Sequence, residues 1–342
     1  TAQIAALSTD QVTQLSSNQM GVLSGNAVAA FTTEQFTALS PSQINGMSNA
    51  AIAKIETADL VTIDSAEIAS IATTAVQAMT SAQLAALTSA NIRGFGADVI
   101  DELSSDQVAA LGSDVSGMST SQLAALNSAN IAGLAAADVT TLTSDQVAGL
   151  GSDAAVLGTA QLAALTTANV KGLTTSTLTA LDSAQVAALD TDAAALSTAQ
   201  LAALNTLNVM GLTSDAIAAF STAQVSALNT VLLKMDTADL AALTTANIKG
   251  MSTAAVASLT TEQVSALDTK LSAMLTAQID ALTSENIVGL TTTVMSAFGS
   301  DQIRALGTAQ IQSLTTQQLK GISSEQMAAL ETDDLRALTT TQ

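Results

Sequence analysis

From one end to the other the chain repeats an eight-residue phrase, Thr/Ser-Thr/Ser-x-Gln-Leu/Ile/Val-x-Ala-Leu. Residues 80–87, Thr80-Ser81-Ala82-Gln83-Leu84-Ala85-Ala86-Leu87, are a clean copy. The 342 residues cut into 43 such blocks, with only 339–342 left over. A period this short cannot build a conventional enzyme domain. It builds stacked copies of one small unit, so 1–342 reads as a single continuous repeat domain. Both ends cut the phrase in mid-block, so we expect a segment of a longer array.

Numbering the block 1 to 8, the hydroxyl residue at position 1 stands three residues before Gln at position 4. That is the capping box of a helix start. Acids favour position 3, as in Asp10, Glu34, Asp106, Asp145, Glu262 and Asp301, where they oppose the positive end of a helix dipole. The single proline, Pro41, sits at position 2, the first helical residue, where a missing N–H costs nothing. Positions 5 and 8 are apolar and share a helix face, and all five Phe (Phe31, Phe36, Phe95, Phe220, Phe298) occupy one or the other. The next Thr or Ser ends one helix and caps another. The fold class expected is all-α: a solenoid of capped helices about seven residues long, with positions 5 and 8 inward and positions 1 to 4 coating the surface. A β-solenoid of eight-residue rungs is the competing reading. It is disfavoured by the Ala, Leu and Gln content and by apolar spacings of three and five.

A second period lies inside the first. Blocks of seven residues begin at 112, 151, 190, 229 and 268, a step of 39. Asn replaces Gln at Asn91, Asn130, Asn169, Asn208, Asn247 and Asn286, and Gly follows three residues later at Gly94, Gly133, Gly172, Gly211, Gly250 and Gly289. Both columns also step by 39. These super-repeats are regular over 80–274 and less so over 1–79 and 275–342. The simplest coil has about five helices, 39–40 residues, in each turn; a stack of helical hairpins is the alternative. The Gly column then either lets successive turns approach closely or ends a helix. With helices about 8–10 Å apart, nine such turns would give a rod on the order of 80 Å long.

Composition limits the chemistry. There is no His and no Cys, which excludes Cys- and His-based zinc sites and Ser-His-Asp triads. No catalytic, cofactor-binding or metal-ligating residues are assigned. The nearest approach to a calcium loop is Asp190-Thr191-Asp192, which lacks the rest of the pattern. Nine basic residues against 29 acidic ones give a net charge of −20, which repels nucleic acid and anionic membranes. No run of 18 apolar residues is present to span a bilayer. Arg93, Lys171 and Lys249 share position 6 of the Gly-bearing blocks, where a cation complements a helix C-terminus. Thr pairs in register (Thr166-Thr167, Thr244-Thr245, Thr260-Thr261) raise ice or another repetitive surface as a binding target. Aromatic residues are 1% of the chain, so the core must be narrow.

The phrases Leu157-Gly158-Thr159-Ala160-Gln161-Leu162-Ala163-Ala164-Leu165 and Leu243-Thr244-Thr245-Ala246-Asn247-Ile248 resemble the Ala/Thr/Leu-rich arrays of very large secreted proteobacterial proteins. Those proteins are described as adhesins, type I secreted surface proteins or haem-utilisation proteins. The resemblance covers nearly the whole chain. It implies a non-enzymatic, extracellular role: a rigid rod, or an element of a filament or surface layer. The alternative is a surface-binding module for polysaccharide, ice or a partner protein. End-to-end or lateral self-association is the expected partnership. A haem ligand set is not available, since only Met could serve as an axial ligand.

Overall fold

The structure is a computed structural model that describes residues 2–342; Thr1, where the first partial block begins, lies outside the described residues. The fold is all-helical, a solenoid of short helices, and no β-strand occurs among the described residues. The chain divides into two compact units, Thr1–Thr177 and Leu178–Gln342, both built from the same block.

One block shows why each element forms and stops. Thr80 is extended (φ −76°, ψ 157°) and its side chain accepts from the Gln83 N–H, while the Gln83 side chain accepts from the Thr80 N–H at 2.9 Å. Two orphan donors of the first turn are thereby satisfied. The helix then runs only over Ser81–Leu84 before the chain swings out to the next cap. The α-helices are four to seven residues long, shorter on average than the seven expected. Such helices do not persist alone in water and are held by burial of positions 5 and 8. Leu84 is fully buried and Leu87 nearly so.

The turn is smaller than the 39-residue period suggested. In the first unit, helix Ser17–Gly21 lies against Pro41–Gly46, which in turn lies against Ser65–Ser70. In the second, Thr237–Ala241 lies against Thr261–Leu267, and Thr308–Ser313 against Thr332–Ala337. Each pair is three blocks apart. Side-chain hydrogen bonds between turns run from 21 to 31 residues in separation, so a turn closes after three blocks and a fraction of a fourth. The expectation of five helices per turn is corrected on that ground. The physical reason is core width. A five-sided coil would enclose a bore that Leu, Val, Ile and Met cannot fill, and the chain has only five Phe to help. The period of 39 is a pattern of block types laid along a narrower coil.

Candidate functional site

The distinctive chemistry of this chain is a lattice of side-chain amides at position 4. Gln83 Oε1 caps its own helix, as above. Its Nε2 donates to the carbonyls of Ile52 and Ile55, at 2.9 and 3.0 Å. Those acceptors are positions 5 and 8 of the block four earlier, at the end of a helix where carbonyls run short of intrahelical partners; the position-5 carbonyl also accepts from the position-8 N–H, as Ile52 does from Ile55 at 3.1 Å. One amide thus closes the start of one helix and the end of another. Gln43 repeats the pattern on Val12 and Leu15, and Gln318 on Ile287 and Leu290. Position 4 was expected on the surface; instead Gln35, Gln43 and Gln83 are each 3% exposed. To reach the preceding turn the amide must pass inside the coil. Burial without such partners would cost roughly 1–3 kcal/mol per group. Among the described residues no buried side-chain nitrogen or oxygen lacks a partner.

The Asn residues make the same bonds with one methylene fewer. Asn130 Nδ2 donates to Ile100 and Leu103 at 2.9 and 3.1 Å, and Asn247 to Ile217 and Phe220 at 2.9 and 3.0 Å. Asn91 reaches Leu60 and Ile63, Asn169 reaches Val139 and Leu142, Asn208 reaches Leu178 and Leu181, and Asn286 reaches Val256 and Leu259. All six are buried. A shorter arm requires the backbones to come closer, and the Gly of the same block permits it. A Cβ on Gly94, Gly133 or Gly172 would overlap the carbonyl oxygen of Ser65, Ser105 or Ser144, three blocks earlier. Gly211, Gly250 and Gly289 stand likewise over Ser183, Thr222 and Thr261. At Gly46, Gly149 and Gly321, in blocks that keep Gln, the corresponding oxygen would lie 2.5–2.8 Å away, a shallower overlap. Asn and Gly are therefore two halves of one close approach. Successive Gly of the column do not stack on one another; each meets a Ser or Thr backbone. Their blocks also tighten into 3-10 turns such as Ile131–Gly133 and Ile248–Gly250, with the Gly at negative φ.

Seven-residue blocks lack the position-4 amide and restart by another device. Gly112 and Gly151 adopt φ of 52° and 58°, and Asp190 and Asp268 adopt 43° and 45°. A left-handed residue turns the end of one helix directly into a six-residue 3-10 segment. The fifth, at Asn229, differs: its Oδ1 accepts from the Ser252 N–H at 2.8 Å and its Nδ2 donates to Gly250.

Five blocks carry an acid at position 4. Glu67 and Asp138 accept from their own cap N–H, of Asp64 and Ala135, at 2.8 and 3.0 Å. Asp59, Asp239 and Asp334 instead accept a hydroxyl from position 2 of the block three earlier: Thr33, Ser214 (3.2 Å) and Thr308 (2.9 Å). Burial raises the Asp59 carboxyl above the usual carboxylate range, against the Thr33 bond and with help from the Glu56 charge. Burial likewise raises Asp239, reinforced by Asp236. Glu67 is raised by burial too, with the Asp64 N–H opposing. Exposed Glu262 at position 3 moves the other way, lowered by backbone hydrogen bonding at the helix start.

Other expected sites fall into place locally. Arg93 Nε donates to the Gly117 carbonyl at 3.0 Å, at the end of a 3-10 segment. Lys171 and Lys249 close the 3-10 turns Val170–Gly172 and Ile248–Gly250. Of the Thr pairs, Thr166 Oγ1 donates to Asn169 at 3.2 Å, Thr260 Oγ1 accepts from Gln263, and Thr261 Oγ1 donates to Glu285. Asp190 accepts from Thr213 at 3.1 Å. Among the described residues, no group of three or more acids forms a metal-holding cluster, and no helix is long and apolar enough to cross a membrane.

No curated protein matches the chain. A family model for the ALTTAQ repeat matches residues 52–89, 83–113, 115–152, 154–191, 193–230, 232–269 and 295–332. Four consecutive matches start at 115, 154, 193 and 232, the same step of 39 that the Asn and Gly columns mark. These matches span well over half of the sequence: the chain belongs to the ALTTAQ repeat family.

Proposed function

We propose that this chain is a non-enzymatic structural element of a bacterial surface, a stiff spacer or the building unit of a filament. The observation that carries the reading is the amide lattice. Nearly all buried polar chemistry is consumed in tying one turn to the one before, by the same bond at the same block spacing. That is what a load-transmitting coil requires, because local opening of a turn must break paired hydrogen bonds along with the apolar seam. The resemblance to secreted Ala/Thr/Leu-rich arrays supports an extracellular setting, and the net charge of −20 favours dispersal in solution over adhesion to nucleic acid. End-to-end association with further copies would continue the coil.

Electron microscopy of purified protein tests this. Elongated particles or filaments of constant width are expected. Compact particles that attach to polysaccharide or ice surfaces would instead favour a binding module and overturn the spacer.

A further inference from the structure

We propose that the unit Leu178–Gln342 carries a lateral interface for a second copy of this chain, in which a lysine-bearing column of one copy meets the acidic column of its neighbour. The inference rests on the filament reading above and names the faces that meet.

Each element of this unit stacks on the one three blocks away, so its blocks form three columns. One runs through Asp190–Ala195, Ser214–Ala219, Thr237–Ala241, Thr261–Leu267, Ile287–Gly289, Thr308–Ser313 and Thr332–Ala337. Its blocks hold ten of the 15 acids of residues 178–342 and one base, Arg336. A second runs through Thr198–Leu201, Thr222–Ala227, Ile248–Gly250, Asp268–Ala273, Thr292–Ala297 and Thr316–Leu319. Its blocks hold one acid, Asp268, and three lysines, Lys249, Lys270 and Lys320.

Neither the period of 39 nor helix capping produces this segregation. Five blocks and three columns share no common factor, so the period carries every block type through all three columns. An acid at position 3 favours a helix start equally on either face. The acidic column has Asp215, Glu262 and Glu285 there, after the hydroxyl caps Thr213, Thr260 and Thr283. The lysine column has Ala199, Ala223 and Gln317, after the equivalent caps Ser197, Ser221 and Thr315. Acids repeated on successive turns, roughly 8–10 Å apart, repel one another, so any gain from gathering them lies outside the unit.

The two columns match in register as well as in sign. Lys249 and Lys270 lie one turn apart, the uncharged block 291–298 follows, and Lys320 lies beyond it. Glu262 and Glu285 lie one turn apart, the uncharged block 307–314 follows, and Asp333 lies beyond it. Each acid sits two blocks after its lysine, so a parallel neighbour displaced by less than one turn meets all three at once. In that register Asp215 and Asp236 face blocks 197–204 and 221–228, which carry no charge.

Lys249, Lys320, Glu262, Glu285 and Asp333 are exposed; Lys270 is half-buried and donates to the Ala241 carbonyl. Among the described residues the ion pairs are Arg304 with Asp301 and Arg336 with Asp333, so no lysine of the column is paired within its own chain. The Arg336–Asp333 contact is exposed and contributes little. At physiological ionic strength the Debye length is about 8 Å, so charges in contact act while the general repulsion of a net −20 is damped. The contact area is about 50 Å by 10 Å per copy. That is the low end for specific interfaces and fits a weak contact repeated along an assembly.

Sedimentation velocity on the full chain at about 0.15 M salt, over concentrations up to about 1 mM, tests this. The wild type should associate past the dimer, because one copy can use both faces. Lys249→Glu with Lys320→Glu should weaken association by about tenfold or more, and so should Glu262→Lys with Asp333→Lys, because like charges then face each other. Mixing the two variants should restore it, since each meets opposite charge on both faces; that recovery also shows that both are folded. A general net-charge effect would instead make the acid-to-lysine variant associate more than the wild type, and that result overturns the proposal. So does a wild type that stays monomeric, which leaves the spacer reading standing. Weakening confined to the lysine-to-acid variant also overturns it, in favour of a different acidic partner.

Discussion

Replacing Gly133 by Ala probes the coupling between the short amide and the close turn. The added Cβ would overlap the Ser105 carbonyl oxygen and press on Val108. To reach van der Waals distance the block must move outward by roughly 1 Å. Asn130 belongs to that block, and its two bonds, at 2.9 and 3.1 Å, would stretch to about 4 Å, beyond hydrogen-bond range. Two bonds at about 1 kcal/mol each, with overpacking of about 1–3 kcal/mol, give a loss of about 3–5 kcal/mol. Asn130→Gln alone overfills the same gap and costs about 1–3 kcal/mol. Together the two changes recreate the ordinary block, with Gln at position 4 and Ala at position 7 as in Gln83 and Ala86. The double variant should therefore be better than the sum of the singles by about 2 kcal/mol. Urea unfolding gives the global effect. Amide hydrogen exchange over 104–134 gives the local one, because long arrays need not unfold as one unit. Additive losses would refute the coupling.

Three further outcomes follow from the same geometry. Asp268→Gly and Asp190→Gly should each stabilise by about 1 kcal/mol by relieving positive φ, and Gly112→Ala should cost a similar amount although nothing lies near the new methyl; denaturant midpoints decide both. Thr80→Ala should lose about 1 kcal/mol with its cap, seen as faster exchange of the Gln83 amide. Asp59→Asn should stabilise at pH 7, because it removes a charge that burial disfavours while leaving an oxygen to accept from Thr33. The sign follows from linkage: a folded-state pKa above the unfolded value of roughly 4 gives stability that is present below the unfolded pKa and lost as pH rises through the folded one. The advantage of the variant should vanish in acid, as melting curves at pH 7 and pH 4 would reveal.

Much of this fold was legible in the phrase itself. The hydroxyl and the Gln three residues on announced a helix start, and the apolar pair at positions 5 and 8 announced the core. The second half of the Gln was missed, although a signal existed. A capping box accepts Glu as readily as Gln, and this chain holds 29 acids. Yet position 4 keeps an amide in most blocks, as at Gln83 and Asn91. Only a need for the N–H donors explains that preference. The period of 39 misled because equal spacing along the chain was taken for equal position around the coil. The scarcity of aromatic residues already argued for a bore too narrow for five helices.

Spin labels on a chain without native cysteine test the turn most directly. Asp101→Cys paired with Asn127→Cys joins sites whose native side chains meet at 2.9 Å, four blocks and 26 residues apart. Asp101→Cys paired with Thr140→Cys spans 39 residues, five blocks, within the same unit. Strong dipolar broadening is expected for 101–127 and much weaker broadening for 101–140; the opposite order would contradict a coil that closes after three to four blocks.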